Sequence, residues 1–379
     1  MQLTETQRQR YWQAVEFAGR QVAATIDRTP DYFPIYTSAG KWFHQGELWT
    51  DWTGGFFAGQ MWLFHRHTGD PAWARQAEHY SRLLEHRQHD RNVHDLGFIF
   101  LNTYLPWYEL TGDPRLHDVI VQAGRTLAMR FQERGQYLRS FVAPESLFID
   151  IMMNVPLIAL VARETGDDNL LRIALAHSLT TRDTIVRADG STAHEGIFDL
   201  ETGRFLRQST HQGLAAESAW ARGLAWSLYG FSSMYRYTGR AELLEVAERN
   251  AAYWLAHLPA DHVPYWDFDA DLSRPHPWGP QKDSSAGAIA ASGLMNLAQQ
   301  TASPERAQAY RATALAMLDA LVAPEYLADQ TPGWEGILMH GVYHTAKNLG
   351  VDESVMWGDF FLVEGLVKAL AAEREAAST

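Results

Sequence analysis

The chain has 379 residues, of which 46% are hydrophobic, so it can bury a large core as one big domain or two ordinary ones. Its formal net charge of −13 argues against nucleic acid and anionic membranes as partners, because both are bound through a basic face. It has no cysteine, which excludes disulfides, thiolate metal sites and a cysteine nucleophile.

The first predicted element is a helix over about residues 6–26. The N-terminal stretch MQLTETQRQRYWQAVEFAGR has no apolar signal core, and no later stretch is long and apolar enough to span a membrane. The sequence therefore predicts a cytoplasmic protein. Aromatic residues make up 12% of the chain, and they fit either core packing or platforms on which sugar rings stack.

Four segments then repeat one layout, in which a helix-period apolar pattern runs into Thr-Gly and a second helical pattern follows. They are residues 61–80, 103–124, 156–178 and 229–250. Gly supplies the left-handed conformation that ends the first helix of each pair. In the first three copies an Asp can cap the second helix, namely Asp70, Asp113 and Asp167. The repeat predicts helical hairpins.

A fifth copy with a weaker turn covers residues 294–321, and the first helix could pair with a last one over 359–373. Strand signals are limited to short pieces, STAHEGIFD and VPYWDFD. Irregular spacing between copies favours a closed ring of about six hairpins over an open solenoid. We therefore predict a single catalytic domain over residues 1–379, all-α, an (α/α)6 barrel, with a site where polar segments lead into the first helices.

Two aspartates stand at such entrances. Asp150 lies within LFIDIMMN, and a carboxylate among apolar residues needs partners or has a raised pKa. It is either a general acid or a satisfied, capping Asp, and Asn154 could hold it from the same helix face. Asp95 precedes an apolar run, where an N-cap is the default interpretation. If the two lie close together, one can stay ionised while the other holds a proton.

Other polar residues suggest binding rather than metal chemistry. His94, His194 and His211 have no metal-ligand spacing, so we predict no metal and expect polar contacts to substrate or water. Arg222 makes either an outward salt bridge or a carboxylate clamp. The segment that contains Ser284 and Ser285 is interpreted mainly as a helix cap, and the two serines are secondary candidates for the binding site. No phosphate loop, Ser-His-Asp signature or dinucleotide fingerprint occurs, so no cofactor is predicted.

These motifs together resemble glycoside hydrolase family 88, the unsaturated glucuronyl hydrolases, over about residues 10–370. The matching stretches are 94–98, 149–156, 210–213, 220–226, 265–268, 283–285 and 357–359. The resemblance implies an (α/α)6 barrel. It also implies a lyase-generated oligosaccharide substrate with a C4=C5 unsaturated uronic acid at its non-reducing end. A proton goes to C4, water adds at C5, and the hemiketal opens and releases the neighbouring sugar.

The same resemblance implies roles for individual residues. Asp150 would be the general acid/base, and Asp95 would orient the substrate and hold the pKa of Asp150 high by like-charge repulsion. The implied substrate-binding residues are Trp52, His94, His194, Gln212, Arg222, Trp226 and His344. Two features depart from the family pattern: Gly54, where a polar residue is expected, and the short loop around Phe141. Both departures affect which substrate we expect the protein to prefer.

Three alternatives stay open at this point. They are an unsaturated rhamnogalacturonyl hydrolase of family 105, a sugar epimerase, and a carbohydrate-binding protein on the same barrel. In each case we expect a carbohydrate partner. For the family 88 hypothesis this partner is an unsaturated uronic-acid-containing oligosaccharide. We expect no nucleic acid and no membrane, and a monomer or small homo-oligomer.

Overall fold

The structure, a computed structural model, describes residues 2–42, 52–275 and 278–378, with side chains up to residue 372. Its α-helices are α1 (Glu5–Arg28), α2 (Gly54–Thr68), α3 (Pro71–Leu83), α4 (Leu96–Phe100), α5 (Tyr104–Thr111), α6 (Pro114–Ala128), α7 (Val155–Thr165), α8 (Asp168–Thr184), α9 (Ala221–Thr238), α10 (Ala241–His257), α11 (Ser284–Gln300), α12 (Pro304–Leu321) and α13 (Met356–Ser378). Within those described ranges, no helix combines the length and the apolar composition needed to cross a bilayer.

The strands are short. They are β1 (Thr37–Ser38), β2 (Lys41–Trp42), β3 (Phe131–Gln132), β4 (Tyr137–Leu138), β5 (Ser146–Phe148), β6 (Glu195–Phe198), β7 (Phe205–Ser209), β8 (Gly341–His344) and β9 (Leu349–Glu353). All pairings between them are antiparallel: β1–β2, β3–β4, β8–β9, and one three-stranded sheet in the order β5–β6–β7.

The predicted Thr-Gly turns form. Gly69, Gly112, Gly166 and Gly239 each follow the last residue of a helix, with φ between 66° and 73° and the N–H bonded to the carbonyl four residues earlier. This left-handed conformation costs a glycine nothing, because it has no Cβ to collide with the carbonyl. The hairpins α2–α3, α5–α6, α7–α8 and α9–α10 are therefore confirmed.

The predicted caps form as well. Asp70 accepts the N–H of Ala72 at 2.8 Å, and Asp113 accepts that of Arg115 at 3.0 Å. Asp167 accepts two N–H groups of α8 in the same way. These side chains satisfy N–H groups that the first helical turn leaves without a partner, so the second helix of each hairpin begins where the sequence predicts.

The two helices of a hairpin are buried differently. In α11 every residue from Ser284 to Met295 is buried, whereas α12 is buried along one stripe that includes Tyr310, Ala314 and Leu318. A helix that is apolar all round lies in a core, and one with a single apolar stripe has a face toward water. The first helix of this hairpin therefore lies in the core, and the second has a face toward water.

The chain divides into two compact units. The first unit comprises Met1–Tyr80, Leu258–Trp266 and Ala270–Thr379, and the second unit comprises Ser81–His257 and Asp267–Asp269. In the first unit α1 packs against α13, as predicted for the first and last helix patterns. A single domain over residues 1–379 stays a prediction.

Candidate active site

The three-stranded sheet of the second unit carries candidate residues at its strand ends. Asp150 follows β5, His194 precedes β6, and Gln212 follows β7. Because β6 is antiparallel to both neighbours, the end of β5, the start of β6 and the end of β7 lie at the same end of the sheet, where Phe148 pairs with Glu195. The sheet thus brings together three side chains that are far apart in the sequence.

His194 is buried, and backbone groups fix its orientation. Its Nδ1 accepts hydrogen bonds from the N–H groups of His211 at 2.9 Å and Gln212 at 3.0 Å. A nitrogen that accepts cannot carry the proton, so the neutral ring is protonated on Nε2. That Nε2 lies 3.5 Å from Oδ2 of Asp150. The backbone therefore directs an imidazole N–H toward this carboxylate.

His94 is oriented toward Asp95 in the same way. Its Nδ1 accepts the N–H of Phe141 at 3.1 Å, and its Nε2 lies 3.4 Å from Oδ1 of Asp95. Burial lowers the pKa of His94 to about 3, so the ring is neutral at physiological pH. The second unit thus holds two carboxyl groups, the buried one of Asp95 and that of Asp150, whose side chain is 14% exposed, and each is faced by the Nε2 of a histidine.

Asp95 occupies the N-cap position of α4 but makes no capping hydrogen bond with its side chain. The predicted position is confirmed, and the carboxyl is left for another role. Burial, reinforced by the negative charge of Asp150, raises the pKa of Asp95 to about 7. This carboxyl therefore keeps its proton over most of the acidic range up to neutrality.

The structure contradicts the raised pKa expected for Asp150. Burial alone would raise that pKa, but the closeness of His194, whose Nε2 lies 3.5 Å from the carboxylate, and of His94, together with the positive charge of Arg222, outweighs burial and lowers it below the ordinary value. The apolar neighbours in the sequence predicted the effect of burial correctly, but they carry no information about partners from other elements. In the free protein Asp150 is the ionised member of the pair and Asp95 the protonated one.

Asn154 joins the two segments that carry the carboxyl groups, although not as expected. Its Nδ2 donates to the backbone carbonyl of Asp150 at 3.1 Å rather than to the carboxylate. Its Oδ1 accepts the N–H of Phe98 at 2.8 Å. Gly97 permits this approach, because a Cβ there would lie only 2.4 Å from the Cα of Asn154. The start of α4 and the turn after β5 therefore pack backbone against backbone.

Arg222 is 1% exposed, so the outward salt bridge considered for it is wrong. Its Nη2 donates to Oε1 of Gln212, and its guanidinium lies 4.4 Å from the ring centroid of Trp220. Trp226 is fully buried, with its ring centroid 5.1 Å from that of Phe98. Arg222 and Gln212, both predicted to bind substrate, are thus in direct contact.

The other two predicted binding residues, Trp52 and His344, lie in the first unit. Trp52 stacks on Trp357 with ring centroids 4.7 Å apart and planes inclined by 29°. The Nε1 of Trp357 donates to Oγ of Ser285 at 3.0 Å, and that hydroxyl donates to Asp283 at 2.5 Å. Asp283 also caps α11, which confirms the capping interpretation of this segment. His344 is the buried last residue of β8.

Sequence reasoning missed Phe148. Its ring centroid lies 4.5 Å from that of His194 and 5.9 Å from that of His94, so this ring packs against both imidazoles. The available signal was a short apolar strand that ends directly before the Asp150 turn. Within the described part of the chain, no three His, Asp or Glu side chains group so that they could hold a metal ion. A metal-free site stays a prediction.

Comparisons with known proteins agree with the fold and show the family. The model of glycosyl hydrolase family 88 matches residues 20–343. Unsaturated glucuronyl hydrolase of Bacillus sp. (strain GL1) is 34% identical over 371 residues, covering 94% of this chain and 96% of the relative. Unsaturated chondroitin disaccharide hydrolase of Streptococcus pyogenes serotype M1 is 31% identical over 372 residues, covering 94% and 90%.

A solved structure is similar over almost the whole chain. The crystal structure of unsaturated glucuronyl hydrolase from Bacillus sp. GL1 has a TM-score of 0.87 at 32% identity, covering 96% of this chain and 97% of that one. This match confirms the fold class predicted from the hairpin repeat, the all-α (α/α)6 barrel.

Proposed function

Because the chain belongs to glycoside hydrolase family 88, and is therefore a glycoside hydrolase, we propose that it hydrates the C4=C5 double bond of an unsaturated uronic acid at the non-reducing end of lyase-generated oligosaccharides. The observation that carries this proposal is the pair of carboxyl groups of Asp95 and Asp150, each faced by a histidine Nε2. The names of its relatives, which refer to unsaturated glucuronyl and chondroitin disaccharide hydrolysis, support the substrate class. They do not favour the family 105, epimerase or binding-protein alternatives.

In the proposed reaction Asp150 is the general acid and base. Its carboxyl gives a proton to C4, and positive charge develops at C5, where the ring oxygen shares it. Water adds at C5 and returns a proton to the carboxylate, so that one water is consumed and no net proton. The hemiketal then opens and releases the neighbouring sugar. The anomeric carbon is not attacked, so the carboxyl-separation rule for retaining and inverting enzymes does not apply.

Asp150 must gain its proton when the substrate binds, because it is ionised in the free protein. The carboxylate of the substrate supplies the cause, since a second negative charge beside Asp150 raises its pKa. Asp95 holds a proton up to about pH 7 and keeps the pair singly protonated. We propose that the site becomes competent when the bound substrate causes Asp150 to take up a proton while Asp95 stays protonated, rather than through a permanently raised pKa of Asp150.

Arg222 and Gln212 are the proposed anchors of the uronate. A guanidinium held flat against Trp220 and bonded to Gln212 has little orientational freedom left to lose, which favours bidentate binding of a carboxylate. We propose that His94 and His194 contact substrate or the attacking water through Nε2. For Trp52, Trp226 and His344, substrate contact is proposed from the family resemblance.

A cytoplasmic location and a monomeric or small homo-oligomeric state are proposed on sequence grounds only. No cofactor enters the proposed reaction.

The test follows the ultraviolet absorbance of the C4=C5 chromophore over a panel of lyase-generated disaccharides. Wild type should remove the chromophore, and Asp150→Asn should be slower by about 10²–10⁴-fold, the usual contribution of a general acid or base. Asp167→Asn is the matched control, because Asn caps a helix as well as Asp does. Binding of the panel with no loss of absorbance would refute the hydrolase and leave the epimerase or the binding protein.

A further inference from the structure

We propose that Arg130 is a positioning residue for this reaction, because its guanidinium ties together the two loop segments that orient His94 against Asp95. The proposal rests on the proposed function in so far as Asp95 takes part in the chemistry. Arg130 lies two residues beyond the end of α6 in the second unit and is 4% exposed. No sequence pattern points to it.

The guanidinium of Arg130 makes three hydrogen bonds, all to backbone carbonyl groups. Nε donates to Arg139 at 3.0 Å, Nη1 to Arg91 at 2.5 Å, and Nη2 to Ser140 at 2.6 Å. Bonds from a charged donor are stronger than neutral ones, and a planar fork sets the direction of each. Arg130 therefore fixes the path of the main chain on two sides at once.

Both segments position His94: the first carries it, and the second contacts its ring. Arg91 lies three residues before His94 on the first segment. On the second, Ser140 directly precedes Phe141, whose N–H donates to Nδ1 of His94 at 3.1 Å. The N–H of Ser140 also donates to the carbonyl of Ser146, the first residue of β5, at 2.7 Å. The three carbonyl bonds thus hold both the backbone that carries His94 and the amide that selects its tautomer.

Loss of this clamp has a chemical consequence at Asp95. If the amide of Phe141 moves away, the proton of His94 can transfer to Nδ1. Its Nε2 then presents a lone pair to the Asp95 carboxyl instead of an N–H. The N–H that now lies against the Asp95 carboxyl, with Nε2 3.4 Å from Oδ1, would be lost. The position and hydrogen bonding of Asp95 therefore depend on Arg130, although the two are not bonded to each other.

Arg130 also acts through its charge. The charged groups that influence Asp95 are negative Asp150 and Asp90 and positive Arg130 and Arg87. Removing the charge of Arg130 leaves the effects of burial and of Asp150 less opposed, so the pKa of Asp95 should rise further. The effects of position and of charge can be separated experimentally, because Lys at this position keeps the positive charge but lacks the planar guanidinium that makes the three hydrogen bonds.

The test compares Arg130→Lys and Arg130→Met with Leu170→Ala, a core truncation in α8 of the same unit that controls for general loss of stability. Both Arg130 variants should lose kcat by about 10- to 100-fold with little change in KM, as expected when a reacting group is misplaced. The alkaline limb of kcat/KM should shift to higher pH in both Arg130 variants, and further in Arg130→Met, which loses the charge as well as the fork. If Arg130→Met fails to fold, Arg130→Lys alone decides the positioning claim.

A second readout does not depend on turnover. Nitrogen-15 spectra of the histidine side chains should show His94 protonated on Nε2 in wild type and in Leu170→Ala, and not uniformly so in the Arg130 variants. An unchanged His94 tautomer, together with a kcat no lower than that of Leu170→Ala, would overturn the proposal. A wild type that shows this tautomer but no turnover would instead count against the proposed function.

Discussion

Replacing Gly97 with Ala should push apart the two segments that carry Asp95 and Asp150. An ideal Cβ at Gly97 would lie 2.4 Å from Cα, 2.7 Å from O and 2.9 Å from C of Asn154. Ordinary contacts of a Cβ begin at 3.4 Å, so the segments must separate by about 1 Å. All three atoms belong to the backbone, and no change of rotamer can relieve the contact.

The expected cost follows from that displacement. A misplacement of about 1 Å lowers an enzymatic rate by roughly 10²-fold, and overpacking a core costs about 1–3 kcal/mol. The separation would also weaken the bond of 2.8 Å from the N–H of Phe98 to Asn154. We therefore expect Gly97→Ala to lose about 100-fold in kcat/KM and about 1–3 kcal/mol in the free energy of unfolding.

Two further glycines provide controls for the chromophore assay and for urea unfolding. A Cβ at Gly19 would meet only Trp73, at the ordinary distance of 3.4 Å, so Gly19→Ala should keep its activity and, because alanine favours the interior of α1, should raise the free energy of unfolding by about 0.5–1 kcal/mol. A Cβ at Gly124 would lie 2.7 Å from Cγ2 of Val161, so Gly124→Ala should lose stability but keep its kcat. If Gly97→Ala keeps as much activity as Gly124→Ala at equal loss of stability, close packing at Gly97 does not position the carboxyl groups.

Two further predictions concern protonation. The kcat/KM of wild type should fall as pH rises through about 7, because Asp95 then loses the proton that the pair needs. In Asp95→Asn the remaining activity should lack this limb of the pH–rate profile. If the limb persists in that variant, it belongs to another group. Burial raises the pKa of Asp359 to about 7, so the folded protein holds this proton where the unfolded chain releases it, and the contribution of Asp359 to the free energy of unfolding should fall as pH rises from about 4 to about 7. Asp359→Asn should reduce that slope by about 1.4 kcal/mol per pH unit in urea titrations, and an unchanged slope would mean that Asp359 is ionised when folded.

Local features of the fold could be predicted because their causes are local. A Thr-Gly pair at the end of an apolar helical pattern ends the helix within one residue, as at Gly112 and Gly166. The caps Asp113 and Asp167 bond to N–H groups only two or three residues away. Signals of this range can be read from a single sequence.

The sheet and the protonation of the site could not be predicted in the same way. Strands of three to five residues are too short to show a period, and only STAHEGIFD suggested one of the three. The lowered pKa of Asp150 depends on His194, whose tautomer is set by two backbone N–H groups beyond the end of β7. Such causes exist only after the chain has folded.

The two ends of the sheet in the second unit carry different features. One end carries Asp150, His194 and Gln212, while the turn between β6 and β7 lies at the other and exposes residues 200–202. Exposed side chains at that turn can change without a change in the strand register that sets the opposite end of the sheet. For protein engineering this makes the turn a suitable point for tethering the protein to a solid support or joining it to a second protein, at the end of the sheet away from Asp150.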